Sequence, residues 1–405
     1  MTDPTFLTRV RLKNYRSIAA CDVALGPLRF LVGPNGSGKS NFIDALRLVA
    51  DSLNTTLDHA LRDRGGIQEV RRRSGGHPTH FGMALDFQLR DGRMGTFSFR
   101  VGAKSAGGYE VQREELRVRQ MMAEDDFYVV ESGRVIESSL PNPPAATPDR
   151  LYLVNVSGLP KFRSAYESFS HMGFYNVNPD VIRDLQSPAT AEVLARDASN
   201  LTSVLRRLEA HSPDMKSRIE QYLSKVVPGV EAADVKAFGP RETIEFRQRV
   251  GANPHPWRFL AASMSDGTLR ALGNLVALFQ FADGQRALAS LVGIEEPETA
   301  LHPAAAGILR DGLRDASEST QVIVTCHSPD LLDDNSIPED QILAVTAEAG
   351  ETRIGSLDAS GRSALHDHLY TAGELLRLNQ LHPDLSLAAP RVDDSMRLFS
   401  EMEET

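Results

Sequence analysis

At 405 residues, 41% hydrophobic and 24% charged, the chain has the composition of a globular protein with one large or two modest cores. Its net charge of −10 argues against a uniformly basic nucleic-acid-binding surface, though not against a local patch. No apolar run approaches about 18 residues, no charged-then-apolar leader follows Met1, and the two cysteines, Cys21 and Cys326, are too few for a disulfide framework or a zinc site, so a cytoplasmic, membrane-free protein is expected.

In chain order, the first third reads as strands at Leu7–Leu12, Leu28–Val32, Phe81–Leu89, Thr96–Val101, Tyr109–Val111 and Phe127–Val130. Gly and Asp-Gly punctuation between them suggests antiparallel hairpins. Between the second and third strands, Gly33-Pro34-Asn35-Gly36-Ser37-Gly38-Lys39-Ser40 fits G-x-x-x-x-G-K-[ST] at every fixed position. Phe42, Ile43, Leu46 and Val49 follow at helical spacing, so the loop joins a buried strand to a helix N-terminus. There backbone N–H groups can curl around phosphate oxygens, Lys39 can meet the β and γ phosphates of a nucleoside triphosphate, and the Ser40 hydroxyl can ligate Mg²⁺. Arg62, Arg64, Arg71, Arg72 and Arg73 form the best candidate basic patch, although such runs are more often a solvated face.

Pro141–Asp149, with four prolines, reads as a linker. From Ser187 to Val226 the pattern turns helical, with Leu194, Leu201, Val204, Leu205 and Leu208 on one side of a helix, then Ile219, Tyr222 and Leu223 after Ser212-Pro213. Strand-like runs return at Thr243–Phe246, Leu291–Ile294 and Val322–Thr325, alternating with helical stretches at Leu269–Phe281 and Ala304–Ala316, the rhythm of a βαβ core. The tail after Asp384 is polar and acidic.

Two of these later strands end in chemistry. Leu291-Val292-Gly293-Ile294 runs into Glu295-Glu296-Pro297-Glu298. A carboxylate at a strand end can hold Mg²⁺ and its neighbour can deprotonate an attacking water, which assigns Glu295 to the metal and Glu296 to the water. Val322–Thr325 delivers Cys326, a small buried residue, and His327, whose place about 30 residues after Glu296 suits a contact with a γ phosphate. Ser265-Asp266-Gly267-Thr268 opens an amphipathic helix: Ser265 is a plausible N-cap, and a Ser and a Gly at a helix start also suit an anion.

In this order the motifs resemble the ABC-type ATPase head, in the branch of RecF, SMC proteins and the ATPase halves of OLD-family nucleases. The chain looks like the stand-alone bacterial AAA/OLD-like ATPases. Val10–Ile18, Ala198-Ser199-Asn200-Leu201 and Ala372-Gly373-Glu374-Leu375-Leu376 are similar to flanking segments of that group. The resemblance implies an α/β fold, an ABC-type P-loop head with a mixed sheet core, an antiparallel β subdomain and a compact helical insertion. Its expected parts are residues 1–140 with Walker A and the β subdomain, 150–255 with the insertion and return strands, 256–384 with signature, Walker B and switch histidine, and a polar tail at 385–405.

By resemblance, ATP and Mg²⁺ are bound by Gly33 to Ser40 with Asn41, two heads join head to tail, and Ser265 and Gly267 of one touch the γ phosphate held by the other. Thr299 to His302 match the D-loop that crosses the dimer. Gln68 is matched to the Q-loop glutamine that senses Mg²⁺ and water, with a surface-loop residue as the ordinary alternative. Arg16 lies near adenine or ribose, or equally on the surface of the first hairpin. The 225 positions from Ser40 to Ser265 leave no room for an SMC arm, and no Toprim-like acidic cluster follows His327. The implied function is an ATP-hydrolysing dimerisation switch in DNA repair or antiphage defence, with duplex DNA as partner. The alternative is a DNA-independent scaffold ATPase that holds and releases a separately encoded effector protein.

Overall fold

The computed structural model describes residues 4–74, 78–120, 124–189, 193–251, 255–281 and 289–384, so the tail from 385 lies outside the described residues. In chain order the strands are β1 (Leu7–Tyr15), β2 (Ile18–Ala24), β3 (Leu28–Val32), β4 (His80–Gln88), β5 (Met94–Ala103), β6 (Tyr109–Val118), β7 (Asp126–Glu131) and β8 (Arg134–Ser138). There follow β9 (Gly173–Tyr175), β10 (Val230–Phe238), β11 (Arg241–Gln248), β12 (Trp257–Leu260), β13 (Leu291–Glu295), β14 (Gln321–Cys326), β15 (Ile342–Glu348) and β16 (Glu351–Ser356).

One mixed sheet runs in the order β8-β7-β6-β5-β4-β1-β2-β16-β15-β3-β14-β13-β9, and β10-β11-β12 form a separate antiparallel sheet. The expected hairpins of the first third are present, with β6 longer than its apolar start suggested. The 150–255 stretch carries more than helices. It also holds β10 and β11, and it returns β9 to the edge of the main sheet. Leu194 is buried ahead of the helix Leu201–His211 rather than on it.

The parallel half explains its own sequence. On β3, Phe30 and Val32 join one core and Leu31 the other, and on β14 Val322 and Val324 oppose Ile323 in the same way. Strands covered on both faces read as continuous apolar runs instead of alternating ones. The helix Lys39–Asn54 covers one face with Phe42, Leu46 and Val49. Helices Asp266–Phe279 and Pro303–Ser317 cover the other with Leu269, Leu272, Leu309 and Leu313.

Two buried polar side chains tie distant parts together. The Gln321 amide, at the start of β14, accepts from Leu7 N (2.8 Å) and donates to the carbonyls of Leu7 (2.8 Å) and Gly26 (2.9 Å), joining β1 to the parallel strands. On β6, the Glu114 carboxylate accepts from the Tyr128 hydroxyl (2.7 Å), Tyr152 N (2.5 Å) and Leu153 N (2.9 Å), which fixes the chain after the proline-rich linker to the antiparallel half.

Replacing Gln321 with Leu leaves three buried backbone groups unpaired and should cost about 2–4 kcal/mol in urea unfolding, with the slope of the transition unchanged. Burial pushes the Glu114 carboxyl up to about 7, against its three donors. A carboxyl raised on folding supports the fold at low pH, and that support drains as pH rises through about 7. The stability of the wild type relative to Glu114→Gln should therefore fall between pH 5 and pH 8. A flat difference would mean the donors keep the group ionised throughout.

Candidate nucleotide-binding site

Register along the parallel strands brings the motifs to one edge. Val32 pairs with Cys326, Thr325 with Glu295, and Ile294 with Tyr175, so the phosphate-loop sequence, His327, Glu295-Glu296 and Asn176 all emerge at the carboxyl ends of neighbouring strands. Open α/β sheets bind ligands at that end.

The loop itself is held from below. Gly38 is left-handed (φ 102), and a Cβ there would stand 2.0 Å from the Thr352 hydroxyl oxygen. A Cβ on Gly33 would stand 2.0 Å from the Val345 carbonyl oxygen, so β15 and β16 are packed directly against the loop. The Thr352 hydroxyl donates to the Ser37 carbonyl (2.9 Å) and shares a hydrogen bond with Ser17 Oγ (2.7 Å), which in turn accepts from Asn41 Nδ2 (2.6 Å). Asn41 thus braces the loop through its side chain.

The helix that follows has no side-chain cap and no acidic residue in its first turn, which leaves its first amides and dipole free for an anion. The loop residues Pro34, Asn35, Gly36 and Ser40 are exposed. Lys39 is buried and folds back onto the carbonyls of Gly33 (2.8 Å) and Pro34 (3.1 Å). Burial pulls its ammonium below the ordinary lysine range, with Glu296 and Glu298 pushing the other way.

Across from Lys39, Glu296 adopts a left-handed backbone (φ 46), and its N–H is held by the Thr325 carbonyl (3.0 Å) and hydroxyl (3.1 Å). That conformation is uncommon for a non-glycine residue and gathers at functional sites. His327 Nδ1 lies 3.4 Å from Glu296 and 3.7 Å from Glu298. The buried Glu298 caps the turn by accepting from the N–H groups of His327 and Ser328 (3.2 Å each). Glu295 is bound by Arg196 (2.8 Å).

Four buried side-chain atoms at this edge have no hydrogen-bond partner: Ser37 Oγ, Glu298 Oε2, Thr299 Oγ1 and His327 Nδ1. A bound polar group or water is one way such atoms are satisfied. Among the described residues no three His, Cys, Asp or Glu side chains form a metal cage. Exposed Ser40 and the single carboxylate of Glu295 nevertheless suit Mg²⁺, which prefers one or two protein oxygens and completes its shell with phosphate and water.

Ser265 is the N-cap of Asp266–Phe279, accepting from Thr268 N (3.3 Å), and is exposed. A Cβ on Gly267 would stand 2.4 Å from the Ala300 carbonyl oxygen, so this helix start needs a glycine to pack on the turn after Glu298. Arg16 (φ 48) pairs with buried Asp44 (3.0 Å), which also receives Tyr15, Arg47 and Arg64. Gln68 lies in the short helix Ile67–Val70, where its Oε1 accepts from Arg71 (2.8 Å). The arginine run is no free patch: Arg64 is buried on Asp44 and Asp51, and Arg62, Arg72 and Arg73 pair with Asp58, Glu351 and Glu69.

The family model described as "AAA domain, putative AbiEii toxin, Type IV TA system" matches residues 28–333. The chain belongs to that AAA family. Its curated relatives include the DNA replication and repair protein RecF of Erwinia tasmaniensis, 30% identical over 163 residues, covering 40% of this chain and 37% of the relative. RecF of Yersinia pseudotuberculosis is 26% identical over 238 residues, covering 57% and 56%. The OLD nuclease of Thermus scotoductus is 46% identical over 43 residues, 11% of this chain and 8% of the nuclease. The chain thus spans about half or less of the length of these relatives.

Among solved structures, an SMC head bound to the C-winged helix domain of ScpA covers 88% of this chain and 99% of the other with TM-score 0.56 and 15% identity. An SMC head with an extended coiled coil from Pyrococcus furiosus covers 90% and 99% with TM-score 0.53 and 12% identity. The fold is therefore the ABC-type ATPase head of the RecF and SMC kind.

In this AAA-family head, sequence reasoning missed Ser17, Thr352 and Arg196, whose roles depend on contacts across 24 to about 300 positions. It also missed Asn176, exposed at the end of β9 and one step beyond the Tyr175–Ile294 pair. Only a parallel strand beside β13, invisible in three residues, marks it. Thr352→Val keeps the shape and removes the hydroxyl under the loop. It should weaken nucleotide binding about fivefold in equilibrium titration, with a melting temperature close to wild type.

Proposed function

We propose that the protein binds and hydrolyses ATP, and that two copies associate head to tail around the nucleotide and part after hydrolysis. The observation that carries this is the convergence of the Gly33–Ser40 loop, Lys39, Glu295, Glu296 and His327 on one sheet edge. Loop amides hold the phosphates and Lys39 leaves its two carbonyls for the β and γ oxygens. Ser40 and Glu295 are the residues that hold Mg²⁺, which, when bound, draws charge off the phosphates. Glu296 orients and deprotonates the attacking water, and His327 senses the γ phosphate. Asn176 is better placed than Gln68 to face that water, because it leaves the strand paired with the one that carries Glu295.

Exposed Ser265 and half-buried Gly267, opposite in role to the loop, reach the nucleotide bound to a second copy. The likeness to RecF supports work in DNA maintenance, with duplex DNA as the partner. One observation leans to the second reading, a DNA-independent scaffold for a separate effector in antiphage defence: of the arginine run that would have met DNA, Arg64 is buried and Arg62, Arg72 and Arg73 each sit beside a carboxylate. ATP turnover with and without duplex DNA over a salt series separates them, since stimulation through phosphate contacts fades steeply with salt.

Lys39→Ala should abolish nucleotide binding. Glu296→Gln should bind ATP, lose turnover by at least about a hundredfold and accumulate as a dimer in light scattering. Undiminished turnover in that variant would remove Glu296 as the base.

A further inference from the structure

The loop between β9 and the helix Leu201–His211 is built around one side chain, Asn200. Its Oδ1 accepts from Ala195 N (2.7 Å) and its Nδ2 donates to the Val193 carbonyl (2.9 Å), closing a tight turn in which Ala198 is left-handed (φ 65). The turn is fastened to the end of β9, where Asn176 N donates to the Arg196 carbonyl (2.9 Å) and Asn178 N to the Asp197 carbonyl (3.1 Å). It is fastened again to the far end of the helix that begins at Ser265: Gln280, the residue that ends that helix, accepts from Leu194 N (2.8 Å) and donates to the Tyr175 hydroxyl (3.1 Å). What this construction presents is Arg196, its guanidinium 2.8 Å from a Glu295 oxygen.

We infer that Arg196 is a guard on the metal carboxylate: it holds Glu295 and must yield when Mg²⁺ arrives with ATP. A guanidinium and a divalent cation compete for the same carboxylate oxygens, and a charge-assisted pair here makes Glu295 a poorer metal ligand until it is displaced. The side chain is half-exposed, so it can leave without unpacking the core. Arg196 lines an open cavity of about 370 Å³ whose wall carries Arg47 and Arg64 beside Asp51 and Asp63, with Arg64 holding Asp51 at 2.7 Å, so a displaced guanidinium turns to solvent. Because the turn is tied to the end of the Ser265 helix, the guard's position depends on the helix that faces a second copy.

This rests on Glu295 being the metal carboxylate, and the experiment keeps the two apart. Binding of a fluorescent ATP analogue to the full chain is measured by anisotropy, in EDTA and across a Mg²⁺ titration, for wild type, Arg196→Ala and Glu295→Gln. For Arg196→Ala the Mg²⁺ concentration at half-maximal gain in affinity should fall about three- to tenfold, while binding in EDTA stays within about twofold of wild type. A purely structural role would instead weaken binding in EDTA and lower the melting temperature. An unchanged or higher Mg²⁺ midpoint for Arg196→Ala overturns the guard. If Glu295→Gln keeps the wild-type Mg²⁺ response, the reading of Glu295 itself fails. Should Arg196→Ala melt early, Arg196→Met, which keeps the aliphatic stem and removes the charge, is titrated in its place and judged by the same shift in the Mg²⁺ midpoint.

Discussion

Parallel pairing of β3, β14 and β13 is the constraint on which the rest depends. Once Val32 is level with Cys326 and Thr325 with Glu295, the phosphate loop must leave the sheet beside two motifs that lie more than 250 positions further along the chain. The pairing is enforced by burial on both faces: a slip of one residue would carry Phe30, Val324 and Ile294 out of one core and into the other. Gln321 adds a polar lock at the opposite end of β14, since its amide fits only one alignment with Leu7 and Gly26. The edge that carries chemistry is thus located by hydrophobic order and fixed by one amide.

At that edge two unusual features meet. Glu296 and Ala300 are left-handed without being glycine, and polar atoms of Ser37, Glu298, Thr299 and His327 are buried without a hydrogen-bond partner. Both are held in place by a scaffold that over-determines the chain around them. Glu298 is a clear instance. One of its oxygens secures the turn that carries His327, and the Cys326 thiol lies against the same carboxylate.

Local chemistry was legible in the sequence and distant chemistry was not. The phosphate loop, the carboxylate strand end and His327 each declare themselves within eight residues, because strand, turn and helix start are all short-range signals. Ser265 as a helix cap was equally readable and is seen. Ser17 and Thr352 carry no such signal: a lone serine after a turn and a lone threonine in a strand become the loop's support only when β16 pairs with β2. The arginine run divides for the opposite reason. Its members are adjacent in sequence, yet the fold sends Arg64 inward and sets Arg62, Arg72 and Arg73 beside separate carboxylates, with Arg62 and Arg73 on the solvated face. Asn176 fell between, since β9 is too short for periodicity to reveal it and only the neighbouring strand gives it a place.

The charged groups of the candidate site are held by neighbours within the protein, and these pairings are substitutable ones. Lys39 rests on two carbonyls, Glu295 on Arg196, and Glu296 stands beside His327. None of these partners is as good as the ligand that the site implies. Carbonyl oxygens are poorer anions than phosphate for an ammonium, and an exposed guanidinium is a weaker hold on a carboxylate than a divalent cation. A site arranged in this way leaves no charge buried alone. On the proposed reading, a ligand gains full affinity only by relieving both ends together: phosphate without a metal would free Lys39 and leave Arg196 in place, and a metal without phosphate would have too few oxygens to hold it. Selectivity for a metal–nucleotide pair would then follow from these partners as much as from the phosphate loop itself.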